Sequence, residues 1–345
     1  MPEKHQHIAV MRLSAMGDVA MTVPVLRALT QQHPQLKITV VSRPFFQPLF
    51  KDIPNLIFVP FDADGRHKGL LGLFQLYRDL KPLEIDAFAD LHNVLRSKIV
   101  RTLFVLKGKK VAFIDKARAA KKVLTRLENK TLKALPTVFE RHASVFMQLG
   151  FAMDLSNPIF PLKQKLEDQV VHLIGDENKI LIGIAPFAQY NSKAYPLDLM
   201  QKVVGKLAAN PNNELLFFGS NSEIQRLLLL SKDHKNARVV AGELSFSQEL
   251  QLISNLKIML SMDSGNAHLA AIYGVTVVTL WGATHPYAGF SPFNQPLENC
   301  LTSDRAKFPY LPTSVYGNKK VIGYEDVMRT ISPEHVVEKI NYLLN

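Results

Sequence analysis

In RLSAMGDVAMTVPVLRAL (12–29) one acidic side chain, Asp18, ends a run of small residues between an apolar stretch and an amphipathic one. A carboxylate placed there has two uses. It can cap the helix that follows by accepting from backbone N–H groups, or it can take a proton from a bound hydroxyl as a general base. A capping box would want Glu or Gln three positions on, and that position is Met21. A second segment, MLSMDSGNAHLAAIYG (259–274), sets Asp263-Ser264-Gly265 between an apolar run and a short helix that Gly274 ends. Asp263 or Ser264 can cap that helix, Gly265 lets backbone approach a ligand closely, and the free N–H groups form an anion site suited to a diphosphate. A well-capped helix with a turn glycine is the alternative reading. A third acidic group, Asp62-Ala63-Asp64, has the spacing that holds a cation in metal-dependent transferases, but its place after a strand of the first half reads better as a solvated turn.

These residues are positioned by alternating apolar runs and helical periodicity. HIAVMRL (7–13), LKITVVS (36–42), LIFVPF (56–61), IDAFADL (85–91) and KVAFI (110–114) read as strands, with helices over 19–33, 69–80 and 94–106 between them. The pattern loosens after Leu149-Gly150 and resumes with strands over 180–186, 214–220, 237–242, 257–262 and 275–282. Strand–helix alternation of this kind predicts two α/β domains, each a doubly wound parallel sheet. The expected domains are 1–165 and 166–345, facing across a cleft with ligands at the C-terminal ends of the strands. The last helix, 333–344, starts at Pro333 and is free to pack back on the first domain.

A chain of 345 residues is long enough for two cores. Cys300, the sole cysteine, excludes an internal disulfide and fits a reducing compartment. No apolar run is long enough to span a membrane, and MPEKHQHIAV (1–10) lacks a secretory run, so a cytoplasmic location is expected. The net charge of +11 is unevenly spread: residues 1–165 hold 26 Lys/Arg against 13 Asp/Glu, and residues 166–345 hold 15 against 17. An anionic partner for the first half is implied, against the plainer reading of a solubilising surface. No RRM-type aromatic motif, zinc finger or helix-turn-helix signature is present, which leaves nucleic-acid binding a remote alternative.

RLSAMGDVAMTVPVLRAL together with SMDSGNAHLAAIYGVTVVTLWGATHP (261–286) resembles glycosyltransferase family 9, the ADP-heptose:lipopolysaccharide heptosyltransferases. DLHNVLRS (90–97) and MRTISPEHVVEKI (328–340) extend the resemblance over most of the chain. It implies the GT-B fold of two Rossmann-like domains, with acceptor on the N-terminal one and nucleotide on the C-terminal one. It also implies transfer of a heptose from ADP-L-glycero-D-manno-heptose to a lipopolysaccharide inner-core acceptor, with inversion and with no metal or other cofactor. Asp18 matches the proposed general base of the family. Lys193 matches its diphosphate-contacting lysine, against the alternative of a surface lysine before a Pro-started helix. Asp263, Ser264, Gly265 and His268 complete the expected donor site, with His268 equally readable as a packed helix residue. Glu223 is placed to accept from ribose hydroxyls or, equally, to stabilise its own helix, and backbone at Gly242 can face the base.

For the acceptor, an anionic lipid-linked glycan at the cytoplasmic face of the inner membrane, the resemblance points to His92, Arg96, Arg141 and the basic stretch 115–135. That stretch reads as an amphipathic helix with Ala120, Val123, Leu124 and Leu127 as its apolar stripe and Lys121, Lys122 and Arg126 exposed. A peripheral monomer is expected. Ala283 and His285 depart from the proline and aspartate of many relatives, Asn266 and Tyr273 are not diagnostic, and the cysteine-rich segment of many relatives is absent. These departures leave the sugar and acceptor open, so a related transferase or a sugar-nucleotide epimerase of the same fold stands as the alternative.

Overall fold

The computed structural model describes residues 6–175 and 178–345. Residues 1–5, part of the stretch read above as lacking a secretory run, lie outside the described residues. Two compact units account for the chain: the first runs to Lys116 and resumes over Val138–Phe160, and the second takes Ala117–Thr137 and continues from Pro161.

The first unit contains β1 (His7–Met11), α1 (Met16–Ala20), α2 (Val23–Gln32), β2 (Lys37–Ser42), β3 (Leu56–Pro60), α3 (Gly69–Leu80), β4 (Ala87–Asp90), α4 (Leu95–Leu106) and β5 (Lys110–Phe113). The segment α5 (Arg118–Thr125) belongs to the second unit, and α6 (Val138–Gln148) to the first. All strands are parallel, in the order β3-β2-β1-β4-β5. β1 is buried along its whole length, as an unbroken apolar run must be when helices cover both faces of a sheet. Met11, Phe61, Leu73, Leu76, Leu80, Phe88 and Phe104 form the core under α3 and α4.

The second unit continues with α7 (Asp168–Ile174), β6 (Ile180–Ala185), α8 (Leu197–Ala208), β7 (Asn213–Phe217), α9 (Ile224–Ser231), β8 (Ala237–Val239), α10 (Phe246–Asn255), β9 (Ile258–Met262), α11 (Gly265–Ala271), β10 (Thr276–Trp281), β11 (Cys300–Thr302) and α12 (Pro333–Leu344). Its parallel sheet has the order β11-β10-β9-β6-β7-β8. α12 packs on α8 and on β9 and β10 of its own unit, with Val336 and Ile340 in the second core, so it does not need the first unit for its partner.

One cut at 165 therefore misses an exchange of segments. Residues 117–137 side with the second unit because Lys130 Nζ donates to the carbonyls of Tyr310 and Pro312, and the Leu135 N–H donates to the Tyr287 carbonyl (2.9 Å). Only Arg118–Thr125 is helical, and Asn129 adopts a left-handed φ of 48° where the basic stretch was expected to continue as helix.

In a parallel sheet each helix carries the chain from the C-terminal end of one strand back to the N-terminal end of the next. Adjacent strands whose chains then leave in opposite directions open a crevice at their C-terminal ends. The topology creates this switch point between β1 and β4 in the first unit and between β6 and β9 in the second.

Candidate functional site

Asp18 follows β1 and His92 follows β4, the two strands of the first switch point. α1 begins at Met16, so Asp18 occupies its third residue and is not the N-cap that sequence allowed. Its carboxylate reaches back to the Ala15 N–H only at 3.4 Å, whereas Arg12 Nη2 lies 2.6 Å from its Oδ2. Arg12 is itself fixed: its Nε donates to the Ser14 carbonyl (2.8 Å) and its Nη1 to the Leu91 carbonyl (2.7 Å). A buried guanidinium with three acceptors thus holds the Asp18 oxygen from one side, while the side chain of Asp18 stays 31% exposed.

His92 stands on a short, rigid loop, because the fully buried Asp90 accepts from the N–H groups of His92 (3.0 Å) and Asn93 (2.6 Å) and pairs with Arg101 at 3.2 Å. The Leu13 N–H donates to His92 Nδ1 at 3.4 Å, which puts the ring proton on Nε2. Burial pushes this imidazole down to about 3, and the cations Arg12, Lys116 and Arg43 push the same way against Asp18. His92 is therefore neutral at physiological pH and acts as a hydrogen-bond donor through Nε2. Arg12 and Arg43 were not expected from sequence, and Lys116 only within the basic stretch 115–135, although each lies one to three residues beyond a strand of this sheet.

The other acceptor candidates scatter. Arg96 is exposed on the first turn of α4, at the same end of the sheet, but Arg141 is 7% exposed within α6 and does not present its charge to a solvent-borne glycan. The exposed basic stripe expected in residues 115–135 is corrected as well. The buried face of α5 is Lys121, Leu124 and Thr125, Leu127 is exposed beyond the helix, and of Lys121, Lys122 and Arg126 the last two face solvent, as do Arg118 and Lys133. Lys121 is buried because its ammonium lies over the Phe290 ring (4.2 Å to the centroid) and near that of Tyr316 (5.6 Å), a contact that offsets desolvation. Lys121→Met should accordingly destabilise the second unit by about 0.5–2 kcal/mol. Thermal melts would show it, with Lys122→Glu and Arg126→Glu melting like the parent; an unchanged Lys121→Met melt would mean that the rings do not hold the charge.

In the second unit Lys193 follows β6 and Asp263-Ser264-Gly265 follow β9, again the switch-point strands. Lys193 Nζ is 3.0 Å from Asp263 Oδ2, and Thr284 Oγ1 donates to the same oxygen at 2.8 Å. The Asp263 carboxylate is thereby turned toward Lys193. Ser264 holds the N-cap position of α11 without making the cap bond; its Oγ lies 3.0 Å from Ser261 Oγ. The first-turn N–H groups of α11 are thus left without a side-chain cap, beside the Lys193–Asp263 pair. His268 is buried on the second turn of α11.

The turn bearing Lys193 is built closely against the loop after β10. The Ala283 N–H donates to the Ser192 carbonyl (3.0 Å), and Ser192 Oγ donates to the Gly317 carbonyl (2.6 Å). Residue 282 has to be glycine here, since a Cβ would lie 2.4 Å from the Ser192 carbonyl oxygen. The two departures from the family pattern fall in this scaffold: Ala283 is buried and its carbonyl accepts from Thr313 and Ser314, and His285 Nδ1 accepts from the Tyr287 N–H at 3.1 Å.

Glu223 is engaged locally. Its Oε2 accepts from the Ser220 N–H (2.7 Å) and Ser220 Oγ (2.9 Å), which is the helix-stabilising alternative raised from sequence, at the C-terminal end of β7. Gly242, at φ +81° after β8, comes so near the same loop that a Cβ would meet Asn221 Oδ1 at 3.1 Å. Glu223 and Gly242 therefore do share one neighbourhood. Asp62 accepts from the Gly65 and Arg66 N–H groups (2.9 Å each), so the D-x-D carboxylate is spent on closing its own turn. No cluster of three His, Cys, Asp or Glu able to hold a metal ion occurs among the described residues.

The model of glycosyltransferase family 9 (heptosyltransferase) matches residues 73–314, which spans the β4 loop, Lys193 and the whole Asp263–His285 region. The chain belongs to glycosyltransferase family 9. It is similar to the lipopolysaccharide core heptosyltransferase OpsX of Haemophilus influenzae, with 24% identity over 87% of this chain and 85% of that one. Among solved structures it is similar to the family 9 glycosyl transferase of Veillonella parvula (TM-score 0.76, 22% identity, covering 100% and 98% of the two chains). It is also similar to the ADP-heptose lipopolysaccharide heptosyltransferase II of Escherichia coli (TM-score 0.68, 20% identity, 98% of each chain). The family 9 chain is a glycosyltransferase with the GT-B arrangement of two Rossmann-like sheets.

Proposed function

We propose that this family 9 enzyme transfers a heptose, with inversion and without a metal, from ADP-L-glycero-D-manno-heptose to an inner-core lipopolysaccharide acceptor. The observation that carries the reading is the pair of switch-point constellations, Asp18–Arg12–His92 in the first unit and Lys193–Asp263–Ser264 in the second. The donor chemistry follows the relatives, which are heptosyltransferases, one of them an ADP-heptose lipopolysaccharide heptosyltransferase.

In this mechanism an acceptor hydroxyl donates to Asp18, and the Nε2–H of His92 donates to a neighbouring oxygen of the acceptor. As the oxygen forms its bond to the anomeric carbon, Asp18 takes the proton and the bond from that carbon to the diphosphate breaks on the opposite face. ADP leaves with the electron pair. Lys193, the Ser264 hydroxyl and the first-turn N–H groups of α11 receive the growing phosphate charge, the kind of fixed donors that stand in for a cation. Asp263 aims Lys193, while Glu223 and the backbone at Gly242 border the nucleoside. The acceptor is lipid-linked and anionic, and the enzyme acts as a peripheral monomer at the cytoplasmic face of the inner membrane.

Mass spectrometry of the purified protein incubated with a panel of nucleotide sugars and cell-envelope lipid, with and without EDTA, tests donor, acceptor and metal together. Heptose added to the lipid only from the ADP donor, unchanged by EDTA, is the expected result. Transfer of another sugar, or abolition by EDTA and rescue by Mg²⁺ or Mn²⁺, would overturn the corresponding part. Isomerised donor in the absence of acceptor would instead favour the epimerase reading.

A further inference from the structure

Exposed apolar side chains are usually scattered singly over a protein surface. Here Leu70 (64% exposed), Leu71 (84%), Phe74 (48%) and Leu95 (75%) occur at the beginnings of two helices that pack side by side, α3 and α4. α3 follows β3 and α4 follows β4, so the N-terminal halves of both helices lie along the rim at the end of the sheet that also carries Asp18 and His92. The core does not need them: Gly72, Leu73, Leu76 and Leu80 already form the buried face of α3. The surrounding charge is mainly basic, with exposed Asp62 and Asp64 in the turn before α3 as the nearby acids. Between Leu91 and Ile114 there are six Lys/Arg and no Asp or Glu, and residues 65–78 add Arg66, Lys68 and Arg78, also without an acid. Asp79, the next acidic residue, is taken by Arg66 (2.6 and 2.8 Å) and His67 (3.1 Å).

We propose that this rim, with Leu70, Leu71, Phe74 and Leu95 as its apolar tips, docks the first unit on an anionic phospholipid bilayer. Apolar tips ringed by exposed lysines fit the boundary between headgroups and acyl chains of such a bilayer. A protein partner fits less well, because lysine is depleted in protein interfaces relative to the rest of the surface. The inference rests on the lipid-linked acceptor proposed above and supplies its geometry: docking by this rim sets the end of the sheet that bears Asp18 against the surface from which a lipid-anchored glycan rises.

Flotation of the full chain with phosphatidylcholine vesicles, with and without phosphatidylglycerol, tests the proposal directly. The protein should float with the anionic vesicles only, and less as salt rises, since charge attraction is screened over about 10 Å at 0.1 M. Leu71→Ser with Phe74→Ser should lower the bound fraction about tenfold or more, as expected when two apolar anchors are lost. Lys68→Glu with Lys98→Glu, at exposed positions, should lower it too and remove its salt dependence. Transfer to a water-soluble acceptor fragment should be unchanged by the Leu71 and Phe74 substitutions, with only vesicle-borne acceptor used more slowly. Vesicle binding that these variants leave intact, or self-association that depends on Leu71 and Phe74 without vesicle binding, would overturn the proposal. Patch-dependent flotation without any sugar transfer would uphold the docking surface and reject the acceptor reading instead.

Discussion

Asp18→Asn should lower turnover by about 10²-fold or more while donor binding stays within a few-fold, the scale of losing a general base. Asn keeps the shape of the side chain but cannot take a proton. It also removes the anion that faces Arg12, 2.6 Å away, and leaves a buried guanidinium with only the Ser14 and Leu91 carbonyls. Breaking a fully buried pair costs about 3–5 kcal/mol, but the exposure of Asp18 makes the loss smaller here. A melting curve and a donor-binding isotherm therefore accompany the kinetics. The readout that separates base from cap is the pH profile. For the parent, kcat/KM rises with pH as the base loses its proton, and the Asn variant should lose that limb. A folded variant with near-parent turnover and an intact limb would return Asp18 to the structural role of a first-turn acid in α1.

How much of this was visible in the chain depends on the range of the interaction that fixes each feature. The buried strands announce themselves because an apolar run with helices on both faces needs no polar alternation, and the expected strand over 180–186 differs from β6 by one residue. β11 is not evident in the sequence because Cys300–Thr302 lacks the β-branched run that marks β8, an edge strand of the same length. Lys193 is legible through the family resemblance, and Asp18 and Ser264 as residues in loops after strands. Arg12, Arg43 and Lys116 look the same locally, and only the strand order shows that they converge near His92. Lys121 was misread for the opposite reason: the pattern 120, 123, 124, 127 makes a sound apolar stripe, but rings some 170 residues onward hold the ammonium and rotate the helix onto 121, 124 and 125. Local pattern cannot report a contact of that separation. Asp263 shows the same limit, because an acid at the head of an anion site makes sense only once its oxygen is found on Lys193 and Thr284.

Lys193→Met should slow transfer roughly ten- to hundredfold, because a charge-assisted hydrogen bond to the leaving diphosphate contributes about 1.5–3 kcal/mol. The single variant is ambiguous on its own. Lys193 is also the cation that neutralises the buried Asp263, so its loss strands a carboxylate that only Thr284 still serves. The neighbouring Ser192 turn and the loop after β10 would then shift for reasons unrelated to chemistry. Combining Lys193→Met with Asp263→Asn removes both charges and restores neutrality without restoring an ammonium. If Lys193 works on the diphosphate, the double variant should regain the melting temperature lost by the single one and remain slow, with ADP released at the same reduced rate. If Lys193 exists only to neutralise Asp263, stability and turnover should recover together. Asp263→Asn by itself separates aim from charge: Lys193 keeps its ammonium but loses its ionic anchor, so turnover should fall less than for Lys193→Met. A larger fall in that variant than in Lys193→Met would place the essential charge on Asp263 and overturn the assignment of the donor site to the lysine.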